Sequence, residues 1–304
     1  MAVPRILALK IDVDTDRGTR EGVPRLMDSL ARCGAGATFL FSLGPDHTGR
    51  ALKRVFRPGF LSKVSRTSVL EHYGVRTLLY GTLLPGPDIG RRNAARMRSV
   101  REAGFETGIH TYDHVKWQDY VADRGAEWTR REMHLAADRY AEIFGAPAAT
   151  HGAAGWQMND EAFRLTAGLG FRYASDTRGT HPFIPVCGGA VVACPQLPTT
   201  LPTLDELIGR EGLTPDNVHA HLLGLTAEAP ATGHVYTLHA ELEGQKFAPV
   251  FERLLAGWQA QGYRLASLAE YFSALSGHDL PRHAVVAGTV PGRSGTLASQ
   301  GPPA

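Results

Sequence analysis

The sequence predicts an α/β fold whose parallel sheet is closed, or nearly closed, into a barrel. Three observations lead there. Strand-like and helix-like patterns alternate along most of the 304 residues, as strand–helix–strand units require. Clusters of acids and histidines fall at the ends of predicted strands, where parallel barrels carry their chemistry. No linker-like composition appears before the C-terminal part, so residues 1–277 read as one domain.

The elements follow in order. Residues 5–12 are aliphatic and β-branched and end in a polar cluster, the pattern of a buried strand. Val23, Leu26, Met27 and Leu30 have the i, i+3, i+4, i+7 spacing of a helix over 20–33, which Gly34 and Gly36 end. A second strand covers 37–42. After an irregular stretch come a helix at 93–103 and a strand at 105–110. Thr129 followed by Glu132 is a capping-box signature for a helix reaching Phe144. A strand at 148–153, a helix at 160–169 and strands at 172–175 and 191–197 follow. Thr203 and Thr214 open two more helices. A strand at 234–239, a helix at 247–261, a short strand at 263–265 and a helix at 268–275 complete the pattern. Residues 278–304, rich in Gly, Pro, Ser and Ala, read as a disordered tail.

Composition narrows the function. Hydrophobic residues at 43% and charged residues at 20% are ordinary for a globular protein, and a net charge of +2 gives no global attraction to nucleic acid. The charge is uneven. Residues 50–92 hold nine Lys/Arg and two Asp/Glu, while the rest holds 23 basic and 28 acidic residues. A basic segment on an acidic body points to a localised anionic partner. Cys33, Cys187 and Cys194 are odd in number and lack metal-type spacing, so a disulfide framework is not expected and a reducing cytosol fits. The apolar start, 6–9, is too short for a signal peptide, and no run is long enough to span a bilayer.

The chemistry concentrates in four places. Asp12 and Asp14 in IDVDT are two apart at a strand exit, where alternate residues share a face. A lone pair of this kind is more often a solvated turn. His110 and His114 in HTYDH are four apart, and one helical turn would set both imidazoles on one face toward one ion. Unrelated surface histidines are the bland alternative. One carboxylate with two imidazoles is an open ligand set that leaves room for water. His239 ends a strand and could be a core histidine; Asp176 follows another and could cap a helix. Their joint appearance at four strand ends favours a site.

These residues resemble a family. IDVDT, GIHTYDH, SDTRG around Asp176 and TLH around His239 look like the ordered motifs of the NodB-type polysaccharide deacetylases. That resemblance implies a distorted (β/α)7 barrel with a divalent metal, whether zinc, manganese or cobalt. It implies Asp14, His110 and His114 as ligands, Asp12 as general base, His239 as general acid, and Asp176 as the group that orients His239. Longer strings are similar to one branch: IDVDTDRGTREGVPRL, FSLGPDHTGR, AAGW, SDTRGTHPF, LPTLDELIGR and TLHAELEG. That branch comprises deformylases of undecaprenyl phosphate-linked 4-deoxy-4-formamido-L-arabinose, whose product modifies lipid A and confers polymyxin resistance. The likeness runs from residue 6 to 275. It implies a polyprenyl phosphate-linked amino sugar as substrate and a place on the inner face of the bacterial inner membrane. Gln157 stands where the branch leads one to expect an Arg, and Arg178 or Arg17 is offered as a substitute.

Residues 45–92 exceed a normal barrel connection and read as a basic amphipathic insertion. Residues 50–66 carry six Lys/Arg and no acid, with apolar residues at helical spacing on both sides of Pro58-Gly59. The residues alone fit equally a membrane-facing surface and an ordinary basic surface with a core-facing stripe. The resemblance, by implying a polyprenyl phosphate substrate at the bilayer, makes Lys53, Arg54, Arg57 and Lys63 the expected contacts with an anionic membrane surface. Leu78, Leu79, Tyr80, Leu83 and Leu84 add apolar surface. Arg17, Arg20, Trp156 and Arg178 are the candidates for holding substrate; Arg17 and Arg20 suit the phosphate by guanidinium geometry and could equally be surface ion-pair partners. Two rivals share the same residues: a soluble N-acetyl amino-sugar oligosaccharide deacetylase, and a non-catalytic barrel that only binds a lipid-linked sugar.

Overall fold

A computed structural model describes residues 5–51, 69–277 and 279–304. Its elements in chain order are β1 (Ile6–Val13), α1 (Val23–Arg32), β2 (Thr38–Ser42), α2 (Val69–Leu79), α3 (Ile89–Glu102), β3 (Glu106–Thr111), α4 (His114–Tyr120), α5 (Ala126–Phe144) and β4 (Thr150–His151). There follow α6 (Asp160–Gly168), β5 (Tyr173–Ala174), β6 (Ile184–Cys187), β7 (Ala190–Val191), α7 (Leu204–Leu207), α8 (Val218–Leu225) and β8 (His234–His239). The last are α9 (Ala248–Ala260), β9 (Arg264–Ala266), α10 (Leu268–Ala274), β10 (Arg282–Gly288) and β11 (Leu297–Pro303).

Six parallel strands curl in the order β5-β4-β3-β2-β1-β8, with β9 beside the first residues of β1. The barrel predicted from alternation is therefore present. β1 is buried along its whole length because it has sheet neighbours on both edges and packed layers on both faces. The extended segment 195–200 bonds Ala174 of β5 on one side and Val235 of β8 on the other, bridging the open edge. Helices α1, α3, α5 and α9 bury Leu26, Met97, Ala136 and Phe251 against the outside of the strands.

Three expectations are corrected. Thr129 lies inside α5, whose cap is Gly125; its hydroxyl donates to Gly125 O, and Glu132 is occupied by Lys116. Thr203 does open a helix, as expected, and there forms a capping box with Glu206. The second helix predicted there takes Asn217, not Thr214, as its cap. Most consequential, the tail is not disordered. β10 and β11 pair antiparallel, and β10 continues onto β6 to give a second sheet, β11-β10-β6-β7. Gly and Pro composition argued against local structure, but these strands are stabilised by distant partners.

Of the insertion, the helical spacings at 50–66 and the residues Lys53, Arg54, Arg57 and Lys63 lie outside the described residues, Arg50 and Ala51 excepted. Leu78 and Tyr80 turn inward, whereas Val75 and Leu83 are 66% and 80% exposed. Among the described residues no helix is long and apolar enough to cross a membrane.

Candidate metal centre

β1 presents Lys10 and Asp12 on one face, because every second residue of a strand points the same way, and Asp14 follows directly after its last residue. Beyond the strand, Glu241 fixes the next turn: its Oε1 accepts from Asp14 N at 3.1 Å, Thr15 N at 2.9 Å and Thr15 Oγ1 at 2.8 Å. The close approach explains Gly18, where a Cβ would fall 1.9 Å from Glu241 Oε1. Burial, joined by the Asp14 charge, pushes the Glu241 carboxyl well above the usual range.

The two histidines come together differently from the spacing argument. His110 is in β3 and His114 is the first residue of α4, with Asp113 between them as its cap, accepting from Lys116 N at 3.1 Å. A strand-to-helix turn, not a helical turn, stacks the rings with centroids 5.3 Å apart. Asp14 Oδ1 lies 3.2 Å from His110 Nε2 and 3.5 Å from His114 Nε2. Asp14, His110 and His114 form a group whose ligand atoms all lie within 4.8 Å of one another.

The fit to a cation can be tested on hydrogen bonds. His110 Nδ1 donates to Gly152 O at 2.6 Å, which leaves Nε2 as a lone pair facing the Asp14 oxygen. Two acceptors at that distance need a positive charge between them, a proton or a metal ion. Asp12 Oδ1, Asp14 Oδ1 and His239 Nδ1 are also buried without a hydrogen-bond partner. One carboxylate and two imidazoles are the donors that divalent transition metals take. Burial works against the Asp14 charge, but His114 and His110 outweigh it and hold the carboxyl far below its ordinary range. The residues therefore fit a divalent ion.

Asp12 and His239 stand side by side, paired in register on β1 and β8. Lys10 Nζ is 3.5 Å from Asp12 Oδ2 and donates to Ser175 O at 3.0 Å. Its burial lowers the Lys10 pKa, and Asp12 and Asp176 partly restore it. Asp176 does not orient His239. Its Oδ1 receives His151 Nδ1 at 2.7 Å and Ala153 N at 2.9 Å, and Oδ2 receives Gln196 Nε2 at 3.2 Å. The acid beside His239 is Glu243, whose Oε2 accepts from His239 N at 2.9 Å.

Glu243 is fully buried. Burial raises its pKa to about 7, against the pull of His239. Between 4.5 and 7 the folded chain thus keeps a proton that the unfolded chain releases, so stability falls as pH rises through that window. Glu243→Gln removes this dependence. Its thermal midpoint should change less than the wild-type value, by a few degrees, between about pH 5 and about pH 8. Parallel midpoint curves for the two proteins would contradict the shift.

The expected substrate groups are occupied. Arg17 Nε is 2.9 Å from Glu21 Oε2, and Arg20 Nε is 3.0 Å from Asp16 Oδ2, so each guanidinium is tied to a neighbouring acid. Trp156 is 1% exposed and presents no open face to a ligand. Arg178 lies against it, bonded to Glu206 Oε1 and Leu201 O. Gln157 donates to Thr296 O at 2.7 Å. Sequence reasoning missed Lys10, His151, Glu241 and Glu243. Lys10 was within reach, as a cation in an apolar strand two before Asp12, and both glutamates sit in TLHAELEG. Nothing local marks His151.

No family model matches the chain. It is 37% identical over 298 residues to the "Probable 4-deoxy-4-formamido-L-arabinose-phosphoundecaprenol deformylase" of Shewanella sediminis, covering 97% of this chain and 94% of that protein. Identity to the protein of the same description from Wigglesworthia glossinidia brevipalpis is 31% over 284 residues, 93% of this chain and 98% of that one. A solved candidate polysaccharide deacetylase from Mycobacterium smegmatis shares the fold with a TM-score of 0.64 at 17% identity, over 95% of this chain and 99% of that chain. The Xyl-CE4 domain of a xylanase from the hindgut metagenome of Trinervitermes trinervoides does so at 0.51 and 13%, over 89% and 90%.

Proposed function

Because the chain belongs to the 4-deoxy-4-formamido-L-arabinose-phosphoundecaprenol deformylase family and is a hydrolase of amide bonds, we propose that it removes the formyl group from that lipid-linked sugar with a divalent metal. The grouping of Asp14, His110 and His114 beside Asp12 and His239 carries this reading. Asp14, His110 and His114 would hold the ion. When bound, it supplies Lewis acidity toward water and an amide carbonyl. Asp12 takes the proton of the attacking water at Oδ1, the buried oxygen that lacks a partner. Lys10 holds the other oxygen, Oδ2, and so orients the carboxylate. His239 gives a proton to the departing sugar nitrogen, which is too basic to leave as an anion. Glu241 holds the Asp14 turn, and His110 is aimed by Gly152 O.

Mass spectrometry of the lipid-linked formamido sugar, before and after incubation with the protein and defined metals, tests the reaction. Loss of the formyl mass only with enzyme and metal is the expected result. An unchanged lipid alongside a deacetylated N-acetylglucosamine oligomer would move the assignment to the oligosaccharide deacetylases.

The substrate's polyprenyl chain places its headgroup at a bilayer, and the protein works there as a peripheral enzyme on the cytoplasmic leaflet. The basic run at 50–66 and the exposed Val75 and Leu83 support this reading. Neutralising Lys53, Arg54, Arg57 and Lys63 together should reduce flotation with anionic vesicles by several orders of magnitude in partitioning, at about 1 kcal/mol per charge. Cleavage of a short-chain soluble analogue should persist. Equal flotation of wild type and variant would reduce the segment to an ordinary basic surface.

A further inference from the structure

We propose that Arg293, delivered by the loop between β10 and β11, is a positioning residue for the metal centre and acts on Asp12 through Trp156 and Lys10. The inference rests on the deformylase reading above.

Trp156 is the hinge of the argument. Its backbone has φ 54, in the left-handed region that a bulky side chain avoids. Such conformations persist where surrounding groups enforce them. Here three cations enforce it: Arg293 Cζ is 4.4 Å from the indole centroid, Arg178 Cζ 4.9 Å and Lys10 Nζ 5.0 Å. Like charges do not gather unaided. Arg178 and Arg293 both bond Glu206 Oε1, at 2.7 and 2.5 Å, and Arg293 Nη2 reaches Asp205 at 3.4 Å. Lys10 is held separately, by Asp12 Oδ2 and Ser175 O. The contacts therefore run from Arg293 across the indole to Lys10 and on to Asp12.

The tail is built to deliver this group. Gly292 has φ 90, and a Cβ there would fall 2.4 Å from Glu206 O, so the loop seats directly on α7. Thr296 O receives Gln157, the residue after Trp156. Arg178 N donates to Ala298 O and Gln300 N donates to Arg178 O, at 2.9 and 2.8 Å. The tail thus grips the Trp156 turn through its ring, its following residue and its neighbouring arginine. Burial opposes the Arg293 charge, but Asp205 and Glu206 outweigh it, with Asp12 adding to the effect. Without Arg293 the indole loses its nearest cation and Glu206 keeps one guanidinium instead of two. Lys10 then loses its wall, and Asp12 loses the fixed contact on Oδ2.

Full-length wild type, Arg293→Ala, Arg293→Gln and Arg293→Lys would be compared for metal content, thermal midpoint, kcat and KM on a short-chain formamido-sugar analogue. Arg293→Ala should keep its metal and KM while kcat falls about tenfold to a hundredfold, the size of a small misplacement of a reacting group. Arg293→Lys should recover part of the loss, Arg293→Gln should not, and millimolar methylguanidinium should partly restore Arg293→Ala. Wild-type kcat in Arg293→Ala would overturn the inference. So would a loss that neither lysine nor methylguanidinium relieves, which marks a tail anchor only. If the alanine variant does not fold, equal kcat in Arg293→Gln and Arg293→Lys overturns it. An inactive metal-loaded wild type would overturn the deformylase reading, and this inference with it.

Discussion

Alanine at Asp14, His110 or His114 should abolish both metal binding and deformylation. The three ligand atoms converge within 4.8 Å, and each residue is placed by a separate element: β1, β3 and the start of α4. Removing one leaves two donors, and an ion bound at a catalytic site with three protein ligands does not survive dialysis with two. The effect should be largest at Asp14, which supplies the only negative charge in the set and is itself anchored through Thr15 and Glu241. Metal content after dialysis and turnover of the formamido sugar are the measurements. Full occupancy in all three variants would remove these residues as ligands.

Asp12→Asn and His239→Ala should behave in the opposite way, retaining metal and losing roughly two to four orders of magnitude in rate, the share of a general base or acid. Asparagine matches the shape of Asp12 but cannot take a proton from water. The variant also strips Lys10 of its carboxylate at 3.5 Å, and burial, which already lowers the Lys10 pKa, then acts with less opposition. Near wild-type turnover by either variant would take that residue out of the mechanism.

The contrast between these two sets shows what was legible in the sequence. Asp12 and Asp14 could be read because strand alternation is a local rule, and the same rule extends to Lys10. His110 and His114 announced themselves by residue type and spacing, although the geometry that unites them is a strand end and a helix start. The partner of Asp176 could not be read. It is decided by the pairing of His151 with Ala174 across β4 and β5, a register that no local pattern carries. The tail misled for a related reason. Its composition forms no core of its own, yet β10 finds β6 across about a hundred residues of chain.

The pairing of β1 with β8 also sets a timetable for the newborn chain. Asp14, His110 and His114 have all been synthesised by residue 114, at the end of β1, on β3 and at the start of α4, and β1 and β3 share β2 as a neighbour. The groups that complete the centre come last: His239 on β8, and Glu241, which binds Asp14 from 227 residues further along. At about 5–20 residues per second, the ribosome delivers them roughly 6 to 25 seconds after the ligands. Until then β1 has one long edge without its eventual partner, so this strand, made before every other described strand of its sheet, is among the last to be enclosed.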